Sequence, residues 1–303
     1  MNSYCIETTQ LTKKFGNKTA INSLDLKIKQ GGIHAIVGSN GAGKSTLFRI
    51  LLGVATPTDG EASIFGVNCQ KLTEKERVRF GYVNEEHTLP TWMKVSALVN
   101  MQKHFYPKWS QETYNSVIGY FDVDPNQKIA GLSRGERAGL NLSMALAQNP
   151  DVLILDEPTL GLDVVAKQSF LEALMFTETQ NESTIIYCSH QMEEIERVAD
   201  NLIMLEKGRL TNNSSPDEFV ARVSSWIAEF PNKPSQLTQS SKVLSCKKID
   251  DLHHIVTIDE DANFQEFLQN AGGSNIRQVD INLPNAVNAF LTKNHNTPDV
   301  FVQ

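Results

Sequence analysis

Gly38-Ser39-Asn40-Gly41-Ala42-Gly43-Lys44-Ser45-Thr46 is the stretch on which the reading of this chain turns. Before it lies an apolar run, Ile33-His34-Ala35-Ile36-Val37, that reads as a buried strand. After it, Lys44 to Leu52 reads as a helix stopped by Gly53. Strand, glycine-rich turn and helix in that order form a phosphate-binding loop. The glycines let the backbone turn tightly and bring its N–H groups close to a phosphate oxygen. The helix that begins near Lys44 points its positive end at the same anion. Lys44 is expected to reach the β- and γ-phosphates, and the Ser45 hydroxyl to ligate Mg²⁺. A nucleoside-triphosphate site on an α/β fold follows from this one stretch.

The bulk properties narrow the setting. A length of 303 residues suits one large and one small domain. The hydrophobic fraction of 40% and charged fraction of 21% are those of a globular protein. A net charge of −7 argues against nucleic acid as the main partner. Cys5, Cys69, Cys188 and Cys246 form no CxxC pair and no metal-ligand spacing, so reduced thiols in a cytosolic compartment are expected. Neither a leader-like apolar segment at the N-terminus nor a run long enough to span a bilayer is evident. A role at a membrane would therefore borrow its membrane part from another chain.

Outward from the phosphate loop, Tyr4 to Thr9 reads as a strand, and Ile21 to Ile28 alternates apolar and polar as a half-buried antiparallel strand does. Glu61 to Phe65 and Phe80 to Val83 read as further strands. Trp92 to Tyr120 is helical in pattern, interrupted at Pro107. A mostly apolar, hence buried, helix follows Ser133 and runs to about Gln148. The continuous apolar runs Val152 to Leu155 and Thr184 to Cys188 are strands of a parallel sheet. A helix from about Val164 to Thr179 separates them, and a helix over Gln191 to Ala199 and a strand over Asn201 to Glu206 follow. Thr211-Asn212-Asn213-Ser214-Ser215-Pro216 reads as a linker. Beyond it, strand-like and helical pieces predict a small α+β unit without a chemical motif.

The strand Val152-Leu153-Ile154-Leu155 delivers two adjacent carboxylates, Asp156 and Glu157. Beside a phosphate loop, the first can hold the Mg²⁺ shell through water. The second, turned differently by the period of the strand, can orient a hydrolytic water. Leu132-Ser133-Arg134-Gly135-Glu136, Gly161-Leu162-Asp163 and Ser189-His190 follow the same order as three motifs of one family. On these residues the chain resembles the nucleotide-binding subunit of an ATP-binding-cassette (ABC) transporter, over residues 1 to about 210.

The resemblance implies a P-loop ABC ATPase fold over 1–210, with an antiparallel β subdomain and a helical subdomain at about 86–148. Residues 211–303 then form a small α+β accessory domain. It implies ATP and Mg²⁺ as ligands, with Ser45, Asp156 (through water) and Glu85 at the metal, and Phe15 stacked on the adenine. Glu157 polarises the attacking water, and His190 holds the γ-phosphate and the transition-state charge. Two such domains, identical or related, pair head to tail in this family. Ser133, Arg134, Gly135 and Glu136 form the signature motif that meets the partner's ATP, and Asp163 lies in the D-loop. A separate integral-membrane permease is the other implied partner, and the cytoplasmic face of the cell membrane the implied location, as a peripheral subunit.

Two positions depart from the family pattern. Glu85 stands where a Gln is usual, and Arg134 where the signature has its first glycine. A basic residue at the latter position, together with Leu89-Pro90-Thr91-Trp92-Met93-Lys94-Val95, resembles exporter ATPases of drugs, antibiotics and peptides. There the segment helps to form the groove that receives the permease. Export is therefore the expected direction, with import the alternative. A soluble ABC ATPase acting on ribosomes or DNA usually has two cassettes or a long inserted coiled coil, and neither is seen. A kinase or GTPase would lack the signature motif.

Overall fold

In the computed structural model, residues 4–178, 183–231, 237, 240, 242–260 and 263–293 are described. The chain divides into two units, Met1–Asn213 and Ser214–Gln303. The first opens on β1 (Tyr4–Phe15) and β2 (Lys18–Lys29), an antiparallel pair turned at Gly16-Asn17. With β4 (Asp59–Ile64) and β5 (Val67–Asn68) they form a sheet of order β2-β1-β4-β5. β1 extends to Phe15, well beyond the Thr9 expected from its pattern. The register shifts between Thr8 and Leu11, and Gln10 there has φ 49°, so the alternation breaks while the pairing continues.

The second sheet positions the site. It contains β3 (Ile33–Val37), β6 (Phe80–Asn84), β7 (Val152–Asp156), β8 (Thr184–Cys188), β9 (Asn201–Glu206) and β10 (Arg209–Ser214). Their order is β10-β9-β3-β8-β7-β6, and the five strands from β9 to β6 run parallel. β3 and β8 are buried at every position, as strands covered on both faces are. The register pairs Ile36 and Asp156 with Cys188, and Asn84 with Asp156. Four strand ends therefore finish level, and the loops leaving them meet along one edge of the sheet.

Helix α1 (Lys44–Leu51) buries Leu47, Phe48, Ile50 and Leu51 in a core shared by both sheets, which includes Ile6 and Leu24 from one and Ile36 and Ile186 from the other. A short α2 (Glu74–Arg77) precedes β6. α3 (Val95–Phe105), α4 (Gln111–Ile118) and α5 (Arg134–Ala147) pack around a separate core of Leu98, Tyr114, Leu140 and Met144. α6 (Val164–Glu178) and α7 (Met192–Val198) complete the unit; the expected end of α6 at Thr179 lies outside the described residues.

The linker expected at Thr211 to Pro216 is not one, and this corrects the reading of its composition. Thr211 to Ser214 belong to β10, and Ser215-Pro216 start α8 (Pro216–Ala221). Ser215 and Glu218 form a reciprocal capping box with proline at the first turn. The polar composition reflects an edge strand and a helix cap.

In the second unit β11 (Val223–Glu229), β12 (Val243–Ile249), β13 (Leu252–Ile258) and β14 (Ser274–Val279) form an antiparallel sheet of order β12-β13-β11-β14. α9 (Phe264–Asn270) buries Phe264 and Leu268 with Trp226 and Ile255. α10 (Leu283–Thr292) brings Phe290 edge-on to Phe219 of α8, with ring centroids 5.7 Å apart. Among the described residues of either unit, no helix is long and apolar enough to cross a membrane.

Candidate nucleotide site

The chain leaves β3 at Gly38 and re-enters regular structure at Lys44, so the glycine-rich stretch forms a loop over the end of the sheet. Two glycines are sterically required. A Cβ on Gly38 would lie 2.3 Å from the Leu205 carbonyl oxygen, and one on Gly43, at φ 106°, would lie 2.4 Å from that of Ala20. Lys44 is buried, and its Nζ donates to the carbonyls of Gly38 at 2.6 Å and Ser39 at 3.4 Å. The lysine thus arches back over the hollow of its own loop. An arriving phosphate would be met by an ammonium already in place.

A cavity of about 790 Å³ opens on this loop. It is lined by Asn40 to Thr46 and by Phe15, Glu85, Asp156, Glu157 and His190. Phe15 is 52% exposed, with the Lys13 ammonium 5.0 Å from its ring centroid, and so it belongs to the cavity wall rather than to a core. An exposed aromatic face at the mouth of a phosphate loop suits stacking on a planar base.

Asp156 ends β7, and Glu157 follows with φ 52°, a left-handed backbone uncommon for a non-glycine residue. That turn aims the Glu157 carboxylate back across the end of β8. Its Oε1 lies 3.1 Å from His190 Nε2, and its Oε2 accepts the His190 backbone N–H at 3.2 Å. The Glu157 N–H in turn donates to the Cys188 carbonyl at 3.0 Å. Burial pushes both carboxyls above the usual carboxylate range; for Glu157 the Cys188 thiol and the His190 amide oppose it, and for Asp156 the thiol opposes it while Glu85 adds to it. Burial, with the nearby Lys44 cation, holds His190 below its ordinary value. A carboxyl whose pKa is raised, beside an imidazole whose pKa is lowered, is suited to orienting water and accepting its proton.

The remaining candidates stand apart from the cavity. Ser133 caps α5 by accepting the Glu136 N–H at 3.2 Å, while Glu136 accepts the Ser133 N–H at 2.6 Å. Arg134 is exposed and donates to the Glu85 carbonyl at 3.4 Å. Its guanidinium lies against Gly161, where a Cβ would approach to 2.7 Å. Gly135 approaches Ala166 of α6, and Asp163 accepts the Ala166 N–H at 2.8 Å. None of Ser133, Arg134, Gly135, Glu136 and Asp163 lines the cavity.

Several wall residues escaped the sequence reading. Lys18, Arg49, Tyr82, Asn84 and Glu86 also line the cavity. Burial, together with the nearby Asp156 carboxylate, pushes the Tyr82 hydroxyl up to about 12. The signal was available in β6, where Tyr82 is the exposed position between the buried Gly81 and Val83. Buried His87, whose Nε2 donates to the Pro158 carbonyl at 2.8 Å, left no such trace.

A family model described as "ABC transporter" matches residues 21–160. The chain is 30% identical over 224 residues to the bacitracin transport ATP-binding protein BcrA of Enterococcus faecalis, covering 72% of each chain. It is 32% identical over 216 residues to the Nod factor export ATP-binding protein I of Rhizobium meliloti, a match spanning 70% of this chain and 64% of that protein. It is also 29% identical over 234 residues to the zinc import ATP-binding protein ZnuC of Rickettsia prowazekii, covering 77% and 93%. Among solved structures, the ATP-binding subunit of an ABC transporter superposes with a TM-score of 0.64 at 23% identity, over 72% of this chain and 92% of that one. With the mixed α/β cassette fold, its phosphate loop and the carboxylates beside it, the chain belongs to the ABC transporter family as an ATP-binding, ATP-hydrolysing subunit.

Proposed function

We infer that the chain is the energy-coupling ATPase of a membrane exporter and works with a separate permease. The observation that carries the ATPase role is the cavity shared by the phosphate loop, Asp156, Glu157, His190 and Glu85, and membership of the ABC transporter family supports coupling to a permease. Export is favoured by likeness to proteins named for export of Nod factor and transport of bacitracin, and by Trp92, which is 76% exposed in the segment that resembles exporters. The likeness to a zinc import protein supports import as the second reading.

In this reading the phosphate-loop N–H groups and Lys44 hold the triphosphate, and Phe15 stacks on the base. Glu157 orients the attacking water and takes its proton, while His190 steadies the γ-phosphate. The donor set suits Mg²⁺: the Ser45 hydroxyl and the Asp156 and Glu85 carboxylates line one cavity, and the Glu85 charge lies close enough to raise the Asp156 carboxyl further. Oxygen ligands from one or two carboxylates, completed by phosphate and water, are what this hard cation takes. Ser45, Asp156 through water and Glu85 would hold it, and it would neutralise charge on the β- and γ-phosphates.

Ser133, Arg134, Gly135 and Glu136 lie outside the chain's own cavity and face a second cassette in this reading, with Asp163 at the seam. Closing and reopening of that pair would drive the permease at the cytoplasmic face of the membrane. The test is Glu157→Gln in the full assembly: ATP binding retained, a closed dimer trapped, and turnover lost. Parent-like turnover would overturn the assignment. Transport into inside-out vesicles supplied with external ATP decides the direction, since uptake there is export and absence of uptake with active import elsewhere reverses the reading.

A further inference from the structure

Glu194 on α7 is a buried carboxylate that the mechanism above leaves unused. It is 5% exposed and does not line the nucleotide cavity. Its Oε2 accepts three hydroxyls: Tyr187 at 2.7 Å, Thr159 at 2.8 Å and Ser189 at 2.8 Å. All three donors are buried, and Oε1 has no partner among the described residues. A buried carboxylate is expensive unless hydrogen bonds compensate it, and a core filler of this size needs no charge. Three donors gathered on one oxygen, from two separate stretches of chain, point to alignment rather than to filling.

The places of those donors say what is aligned. Thr159 lies two residues beyond Glu157, and Ser189 directly precedes His190. The side chains of Glu157 and His190 meet at 3.1 Å. Ser189 also accepts the Gln191 N–H at 3.1 Å, which ties the end of β8 to the start of α7. Glu157 at φ 52° keeps a backbone that persists only where the surroundings hold it. His87 holds the same turn through the Pro158 carbonyl at 2.8 Å.

We propose that Glu194 is a positioning residue that sets the register of Glu157 against His190 by binding Thr159 and Ser189, without touching the nucleotide. This rests on the roles given to Glu157 and His190 above. Glu194→Gln keeps the volume but removes the charge. Its amide oxygen accepts at most two hydroxyls, and its NH₂ adds donors where donors already converge. Thr159→Val removes one hydroxyl at nearly equal size and leaves Glu194 two partners, so it serves where Glu194→Gln fails to fold.

The measurements are steady-state ATP hydrolysis and ATP affinity of the full chain. In both variants kcat should fall about tenfold or more, the scale of a misplaced reacting group, with KM and ATP affinity within about twofold of the parent. Thr159→Ser, which keeps the hydroxyl, should restore kcat to within about twofold. A Thr159→Val protein with parent-like kcat and only a lower melting temperature overturns the proposal. So does an equal loss of affinity and turnover. Failure of the underlying reading shows separately, as parent-like turnover in Glu157→Gln alone.

Discussion

At the scale of single residues, the site concentrates opposed demands. Lys44 is held by its own loop carbonyls at 2.6 and 3.4 Å, so in the proposed role phosphate binding would exchange neutral acceptors for a charged one. Lys44→Ala should weaken ATP binding by about 2–3 kcal/mol, on the order of 30- to 150-fold in Kd, measured by nucleotide titration. Glu157 and Asp156 pay for their position in stability. Burial raises both carboxyls, so their contribution to folding is fully present below the unfolded carboxyl pKa and is lost as pH rises through the folded one. Glu157→Gln should therefore melt above the nucleotide-free parent at pH 7.5, and the gap should close toward pH 4. In the proposed mechanism the Glu157 carboxylate is the active form, so the same shift should place the acid limb of kcat/KM, which reports the free enzyme, above the ordinary glutamate value of 4.5. A limb at or below that value, or a Glu157→Gln protein that melts lower at pH 7.5, would contradict the assignment.

Elements carry the site because their ends are level and their contacts close. α5 runs from the signature motif into the helical core, and it meets Phe121 at a glycine. A Cβ on Gly139 would lie 2.1 Å from the Phe121 ring. Gly139→Ala should destabilise the chain by about 1–3 kcal/mol, the usual cost of overpacking, despite alanine's better helix propensity. Thermal unfolding checks this; an unchanged or higher melting temperature would show that Phe121 yields freely. β1 and β10 show how an element hides its extent. A bulge at Gln10 conceals that β1 continues, and the serines and asparagines of the β10 edge resemble a linker until their pairing is seen.

For the whole molecule, the proposed partnership with a permease is tested at the surface around Trp92. Met93 beside it packs on the helical core, whereas the Trp92 side chain is left 76% exposed. An exposed indole contributes little to folding and can contribute heavily to an interface. Trp92→Ala should leave the melting temperature within about 1 °C and reduce co-purification with the permease, read by membrane fractionation with and without the permease expressed. A loss of stability with unchanged association would assign Trp92 to packing instead.

What the sequence determined by itself was the cassette and its ATPase class. The stretch Gly38 to Thr46, the apolar run ending on Asp156-Glu157, and the order of Ser133, Asp163 and His190 are local patterns, set by backbone needs that only certain residues meet. Only the tertiary structure decided how these segments meet. Cys188 pairs in register with both Ile36 and Asp156, and that level edge is what carries His190 to 3.1 Å from Glu157. Tyr82 comes close enough to the Asp156 carboxylate for that charge to raise its hydroxyl, and His87 and Glu194 acquire hydrogen-bond partners at Pro158 and Thr159, all residues distant in the chain. Buried polar groups of this kind leave no periodic trace, because their value lies in a partner that folding alone brings within reach.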